Sequence, residues 1–382
     1  MPATDLERRV RAQLARLESE GLLRSLRPPG GIDLSSNDYL GLSRHPLVAQ
    51  RMSEAIARDG CGSTGSRLLR GDRACFTALE DRFAAFKGAG RALLFSSGYL
   101  ANLAVLTTFC GPGDVVYSDE RNHASLIDGI RLSGARKVVY PHCDVSALRG
   151  LLREEPGQKF VVTESLFSMD GDFAPLAEYD EVCRAAGAAL IVDEAHAVGV
   201  YGARGSGLLE ACRASGFLSI NTAGKALGVS GALVAGPEWA IEYLVQRARP
   251  FVFSTAPPPP VAAALDASFT LIAQEPWRRD RLHELSHYAR MRLVETGVPT
   301  AGGDSQIIPV ILGDNQRATQ VAQKLQRDGF DVRAIRPPSV APGSARLRIS
   351  VNANLSEATL DRFTDSLASA LKESAACSAV CL

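Results

Sequence analysis

The sequence predicts an α/β fold: a large domain built on a mostly parallel sheet, then a smaller α+β domain. Three observations predict it. From about residue 76 onward, short apolar runs alternate with helical segments, the pattern of βαβ units. A proline-rich stretch, Arg249–Pro260, interrupts that pattern. Beyond it lie a long helical stretch and three more short apolar runs with helices between and after them.

The elements follow in order. Residues 6–24 read as a helix, because Leu6, Val10, Leu14 and Leu17 share one face and arginines occupy the other. Pro28-Pro29-Gly30-Gly31 breaks it. The expected strands of the large domain are Arg91–Phe95, Val115–Ser118, Lys137–Tyr140, Phe160–Thr163, Ala189–Val192 and Ala232–Ala235. Arg249–Pro260 reads as an extended crossing, and residues 261–296 as one long helical stretch. Ile307–Leu312, Val332–Ile335 and Leu347–Val351 are the expected strands of the smaller domain. The tail from Cys377 to Leu382 carries no structural signal. The divisions are 1–45 for an N-terminal helix and arm, 46–255 for the large domain and 256–382 for the small one.

Composition excludes several classes. The chain has 382 residues, 46% apolar and 22% charged, which supports a core and argues against disorder. Lys plus Arg and Asp plus Glu are both 42, so no broad basic field exists to attract nucleic acid. No apolar run approaches the ~18 residues of a membrane span. Residues 1–11 are charged and do not read as a secretory signal. The eight cysteines are scattered without a C-x-x-C, as expected of reduced thiols in a cytoplasmic protein. Only six of the 42 basic residues are lysine, and unlike Arg a lysine amine can lose its proton and attack a carbonyl.

Four segments could carry chemistry. In Ala188–His196 a buried strand ends in Asp193, and His196 follows; ligands bind beyond such strand ends. A helix-capping Asp with a surface His is the plain alternative. Asn221–Ala232 embeds Lys225 among glycines and small residues, room enough for a flat ligand and a setting that suits a Schiff-base lysine; a Gly-rich loop with a solvated Lys is the alternative. Phe95–Asn102 runs from a strand through Ser-Ser-Gly into a helix, an anion site or an ordinary N-cap. Ser118–Ser125 places His123 just past a strand, to stack on a planar ligand, move a proton, or simply sit at the surface.

Two other signatures compete. Asp193–His196 matches a nucleotide-hydrolysing helicase motif, but no phosphate-binding Gly-Lys-Ser/Thr loop precedes it. His283-Glu284-Leu285-Ser286-His287 matches the zinc-hydrolase helix, but no third ligand follows, so no metal is expected.

Taken together, the four segments resemble the α-oxoamine synthases, fold-type I enzymes dependent on pyridoxal 5'-phosphate (PLP). The likeness runs in order from Ser35-Ser36-Asn37-Asp38-Tyr39-Leu40-Gly41-Leu42-Ser43 to Arg346-Leu347-Arg348. It implies that Lys225 carries PLP, Asp193 keeps the pyridine nitrogen protonated and His123 stacks on the ring. His196 and Ser168 would bond its phenolic oxygen, and Gly98, Tyr99 and Thr222 its phosphate. Ser254 and Thr255 would approach the phosphate of a second subunit, making the active site a homodimer feature. Arg348 would bind the amino-acid carboxylate, Asn37 would lie near the substrate, and Arg24 and Ser339 would contact the acyl substrate. Phe167–Asp172, Pro250–Thr255 and Ala334–Val340 resemble the members that condense L-alanine with a pimeloyl thioester, on coenzyme A or a carrier protein, in biotin biosynthesis. A sibling acyltransferase joining glycine to acetyl-CoA is the alternative. Phe76, where a His is frequent, and Asn221, where a Gly is usual, depart from the family pattern.

Overall fold

The computed structural model describes residues 4–152 and 157–380, with side chains through Ser374. The strands are β1 Ile32–Asp33, β2 Arg91–Phe95, β3 Val115–Asp119, β4 Arg136–Tyr140, β5 Lys159–Glu164, β6 Ala188–Asp193, β7 Leu218–Thr222, β8 Ala232–Gly236, β9 Ile307–Gly313, β10 Phe330–Asp331, β11 Ala334–Ile335 and β12 Ala345–Ser350. The helices are α1 Asp5–Ser19, α2 Pro46–Asp59, α3 Ala74–Lys87, α4 Gly98–Phe109, α5 Ala124–Ser133, α6 Val145–Leu151, α7 Leu176–Ala186, α8 Leu208–Ala211, α9 Glu238–Arg247, α10 Arg249–Val252, α11 Pro259–Gln274, α12 Trp277–Glu295, α13 Asn315–Arg327 and α14 Glu357–Val380.

The chain divides into two compact units. The larger comprises residues 37–168 and 172–281; the smaller comprises 1–36, 169–171 and 282–382. The larger unit holds a seven-stranded sheet in the order β2-β8-β7-β6-β5-β3-β4. Only β8 runs against the rest, pairing antiparallel with both β2 and β7. The inner strands read as apolar runs because helices cover the sheet there, and Val116, Val161, Val162, Ile191 and Ile220 are fully buried, whereas edge strand β4 is largely exposed. Helix α4 is apolar nearly all round and buries Ala101, Ala104, Val105 and Leu106 in that core. It meets α5 closely because Gly129 has no side chain; a Cβ there would lie 2.7 Å from Leu106.

The smaller unit holds the antiparallel sheet β11-β12-β9 and the short parallel pair β1–β10. Arg348 lies on the central strand β12, opposite Pro309.

Several sequence expectations shift. The helix expected over 6–24 ends at Ser19. The stretch 261–296 is two helices, α11 and α12, because Pro276 cannot continue the first. The extended crossing opens with the short helix α10. β7 was not anticipated, since Ser219, Asn221 and Thr222 mask a strand buried between neighbours. The tail is helical to Val380, while Cys381 and Leu382 lie outside the described residues.

Candidate active site

The sheet sets out the candidate groups in one repeating pattern. β2 ends at Phe95, β3 at Asp119, β5 at Glu164, β6 at Asp193 and β7 at Thr222. Three or four residues beyond these ends stand Gly98, His123, Ser168, His196 and Lys225. Parallel strands release their loops at one edge, and that edge is where ligands of such sheets bind.

Lys225 sits in the loop joining β7 to β8. The loop closes through Gly228 N–H to the Lys225 carbonyl (2.8 Å) and Ala223 N–H to the Gly231 carbonyl (2.9 Å). Gly228 turns with φ 68°, and a Cβ there would meet the Ser43 backbone nitrogen at 2.5 Å. The Lys225 amine is 2.9 Å from His196 Nε2. On the other side of that ring, Nδ1 is 2.6 Å from the Tyr39 hydroxyl, which itself donates to Asn37 Oδ1 at 3.1 Å. The Tyr39 hydroxyl therefore bridges His196 Nδ1 and Asn37 Oδ1, and the other ring nitrogen faces the Lys225 amine. Asn37 thus joins this relay through Tyr39.

A second relay runs from Asp193. Its Oδ1 accepts from Ala195 N–H (2.9 Å) and its Oδ2 from Asn102 Nδ2 (2.7 Å). Asn102 also donates to Ser125 Oγ (2.9 Å), which lies 2.8 Å from His123 Nδ1. His123 is open to solvent, but burial of its inner side lowers its pKa, the nearby Asp193 opposing and Lys225 reinforcing. The shift favours the neutral ring.

Beneath these groups Glu164 is fully enclosed, and its Oε1 has no hydrogen-bond partner. Burial, then repulsion from Asp193, pushes its carboxyl up to about 8. Lys225 and the backbone N–H groups of His123 and Ser168 oppose that rise.

An anion cradle lies at the start of α4. Ser97 caps the helix through Leu100 N–H (3.3 Å), and a Cβ on Gly98 would fall 2.1 Å from Thr222 Oγ1. Glycine therefore brings a helix N-terminus and a hydroxyl together, as a phosphate requires. The Tyr99 hydroxyl is engaged by Asp128, so its backbone N–H is what it offers an anion. Lysine amine, strand-end carboxylate, open imidazole and cradle fit the donor set PLP needs.

The remaining expected residues lie apart from these relays. Ser254 and Thr255 share a narrow cleft with Ser96, Phe251 and Arg67. In the smaller unit, Arg24 donates to the Pro337 carbonyl (3.2 Å), Ser339 N–H to the Arg336 carbonyl (3.1 Å), and buried Arg348 to Ser350 Oγ (2.8 Å). The two departures have local accounts. Phe76 is fully buried with the Arg67 guanidinium 5.0 Å from its ring centre, and Asn221 bonds Ser219 Oγ and the Leu233 carbonyl. Glu284 and His287 are exposed on α12, and among the described residues the one grouping of three potential metal ligands is elsewhere: Asp119, His142 and Cys143. Sequence reasoning missed Tyr39, Asn102, Ser125 and Glu164. For Asn102 and Tyr39 the available signal was a polar residue inside an otherwise apolar helix and a tyrosine in the segment quoted for the family.

Residues 29–367 match the class I and II aminotransferase family. An 8-amino-7-oxononanoate synthase of Anaeromyxobacter dehalogenans (strain 2CP-1 / ATCC BAA-258) is 46% identical over 380 residues, 95% of this chain and 96% of that one. A synthase of the same name from Methylococcus capsulatus is 44% identical over 90% of each chain. Among solved structures, a serine palmitoyltransferase from S. paucimobilis with bound PLP-myriocin aldimine has a TM-score of 0.90 at 28% identity, covering 98% of this chain and all of that one. The 8-amino-7-oxononanoate synthase of Francisella tularensis has a TM-score of 0.80 at 29% identity, covering 90% of this chain and 98% of that one.

Proposed function

The chain belongs to the class I and II aminotransferase family, and on that premise we propose that it joins L-alanine to a pimeloyl thioester, releasing CO2 and the thiol, to give 8-amino-7-oxononanoate. It is a PLP-dependent acyltransferase of fold type I. One observation carries the chemistry: the Lys225 amine lies 2.9 Å from His196, which follows the strand ending in Asp193. The substrate pair is supported by relatives named for that product at 41–47% identity.

Bound at this edge, PLP supplies an electron sink for the α-carbon of the amino acid. Lys225 would hold it through the amine, Asp193 at the ring nitrogen, His196 and Ser168 at the phenolic oxygen, and His123 against the ring. Gly98, Tyr99 and Thr222 would hold the phosphate. Asn102 and the Ala195 N–H fix the position of the Asp193 carboxylate, one hydrogen bond to each oxygen. The amine of Lys225 takes the proton from the alanine α-carbon, and His196, steadied by Tyr39, orients that amine. His123 donates a hydrogen bond to the oxygen that becomes negative when the thioester carbonyl is attacked. Arg348 pairs with the alanine carboxylate, Asn37 lies near the substrate, and Arg24 and Ser339 receive the acyl chain.

The reading includes a homodimer in which Ser254 and Thr255 serve the other subunit's phosphate, and a cytoplasmic location. The second is supported by free thiols at Cys61, Cys75, Cys110, Cys143, Cys183 and Cys212. Among the described residues no helix is long and apolar enough to cross a membrane. The deciding assay offers purified protein alanine with pimeloyl-CoA, alanine with a pimeloyl carrier protein, and glycine with acetyl-CoA. 8-Amino-7-oxononanoate from either alanine pair supports the proposal; turnover of the glycine pair alone overturns it.

A further inference from the structure

His142 lies outside the set of groups placed around the cofactor, yet it is tied to both segments that carry two of them. It stands just after β4, 10% exposed in its side chain. Nδ1 is 2.9 Å from Asp119 Oδ1, and Nε2 is 2.6 Å from Asp172 Oδ2. Both partners are carboxylates that only accept, so both ring nitrogens donate and the ring is a cation. Burial lowers its pKa, but the bonds to Asp119 and Asp172 outweigh burial and raise it to about 11. Cys143 Sγ adds a contact of 3.6 Å, and the ring meets Phe167 edge-on at 4.4 Å.

Each carboxylate belongs to a different segment. Asp119 closes β3 and shapes the turn to His123: it accepts from Arg121 N–H (2.9 Å) and Cys143 N–H (3.0 Å), and its carbonyl accepts from Asn122 N–H (3.3 Å). Asp172 closes the segment that carries Ser168: its carbonyl accepts from Phe167 N–H at 3.0 Å, and Ala174 N–H returns to the Ser165 carbonyl at 3.1 Å. The same two segments act on Glu164 from inside through the N–H groups of His123 and Ser168.

We propose that His142 is a positioning residue, a charged pin between Asp119 and Asp172 that holds the turn bearing His123 and the segment bearing Ser168 in fixed register. It touches neither substrate nor cofactor and acts through Ser168. The consequence for catalysis rests on the function proposed above; the pin itself is a property of the cofactor-free fold.

The test uses wild type, His142→Gln and Asp172→Ala, the second cutting the same link from its other end should the first fold poorly. In cofactor-free protein, hydrogen exchange at the Phe167 and Ala174 amides is expected to quicken at least ~tenfold in either variant, with β6 amides at wild-type rates. With PLP added, the pH midpoint of the visible absorption is expected to move by about half a unit or more in His142→Gln and in Ser168→Ala, with no further move in the double variant. Unchanged exchange at Phe167, or additive midpoint shifts, overturns the pin. Retention of the visible band by Lys225→Ala overturns the cofactor reading instead, and the exchange result still judges His142.

Discussion

At the scale of single residues, the groups legible in the sequence are those that sit directly beyond a strand. Asp193, His196 and His123 each follow an apolar run, and strand ends of a parallel sheet are ligand positions, whereas Lys225 follows the polar-masked β7 and was legible only from the glycines and small residues around it. Their partners were not legible, because tertiary contact creates the role: Tyr39 meets His196 from 157 residues away, and Asn102 meets Asp193 from 91. Glu164 lies one residue past the expected strand Phe160–Thr163, and only burial and Asp193 reveal it as a raised acid. Its folded pKa exceeds the unfolded value, so the stability it contributes is complete below about pH 4.5 and is lost as pH rises through about 8. Glu164→Gln removes that loss. The variant is expected to melt near wild type at pH 5 and several degrees above it at pH 9, as thermal melts across pH would show. Equal pH profiles would mean that Glu164 stays ionised in the fold.

At the scale of elements, the loops between strands and helices carry the constraints. Gly98 opens α4 against Thr222, and a methyl group there has no room. Gly98→Ala is expected to cost about 1–3 kcal/mol of stability by overpacking and to weaken PLP binding at least ~tenfold. Denaturant unfolding of the cofactor-free protein and a PLP titration separate the two effects. The end of α3 is pinned to the end of β6 by Lys87 and Glu194, whose side chains are 5% and 0% exposed. Lys87→Met leaves Glu194 buried without its cation, and a loss of about 3–5 kcal/mol is expected in the same unfolding measurement. A loss below 1 kcal/mol would show that Leu209 N–H, which also donates to Glu194, satisfies it alone. Element boundaries were legible where apolar runs are clean, as in β2, whose expected and observed limits coincide. They were lost where polar residues enter a buried strand, as in β7, and where Pro276 splits a long helical pattern into α11 and α12.

At the scale of the whole molecule, a neutral chain folds into two compact units, one of which collects the amine, carboxylate, imidazoles and cradle at a single sheet edge. The homodimer is tested by mixing. Lys225→Ala chains mixed with Thr255→Glu chains are expected to regain up to about a quarter of wild-type activity, through mixed dimers that hold one intact site. No recovery, with exchange of subunits demonstrated, would contradict a shared site. The central claim is that the amine at position 225 binds PLP covalently, and borohydride reduction of the PLP-loaded protein followed by peptide mass mapping tests it most directly. The expected result is one reduced phosphopyridoxyl group per chain, on Lys225; a stoichiometric label on another lysine, or an unlabelled Lys225 in a protein that still turns over alanine, would contradict it.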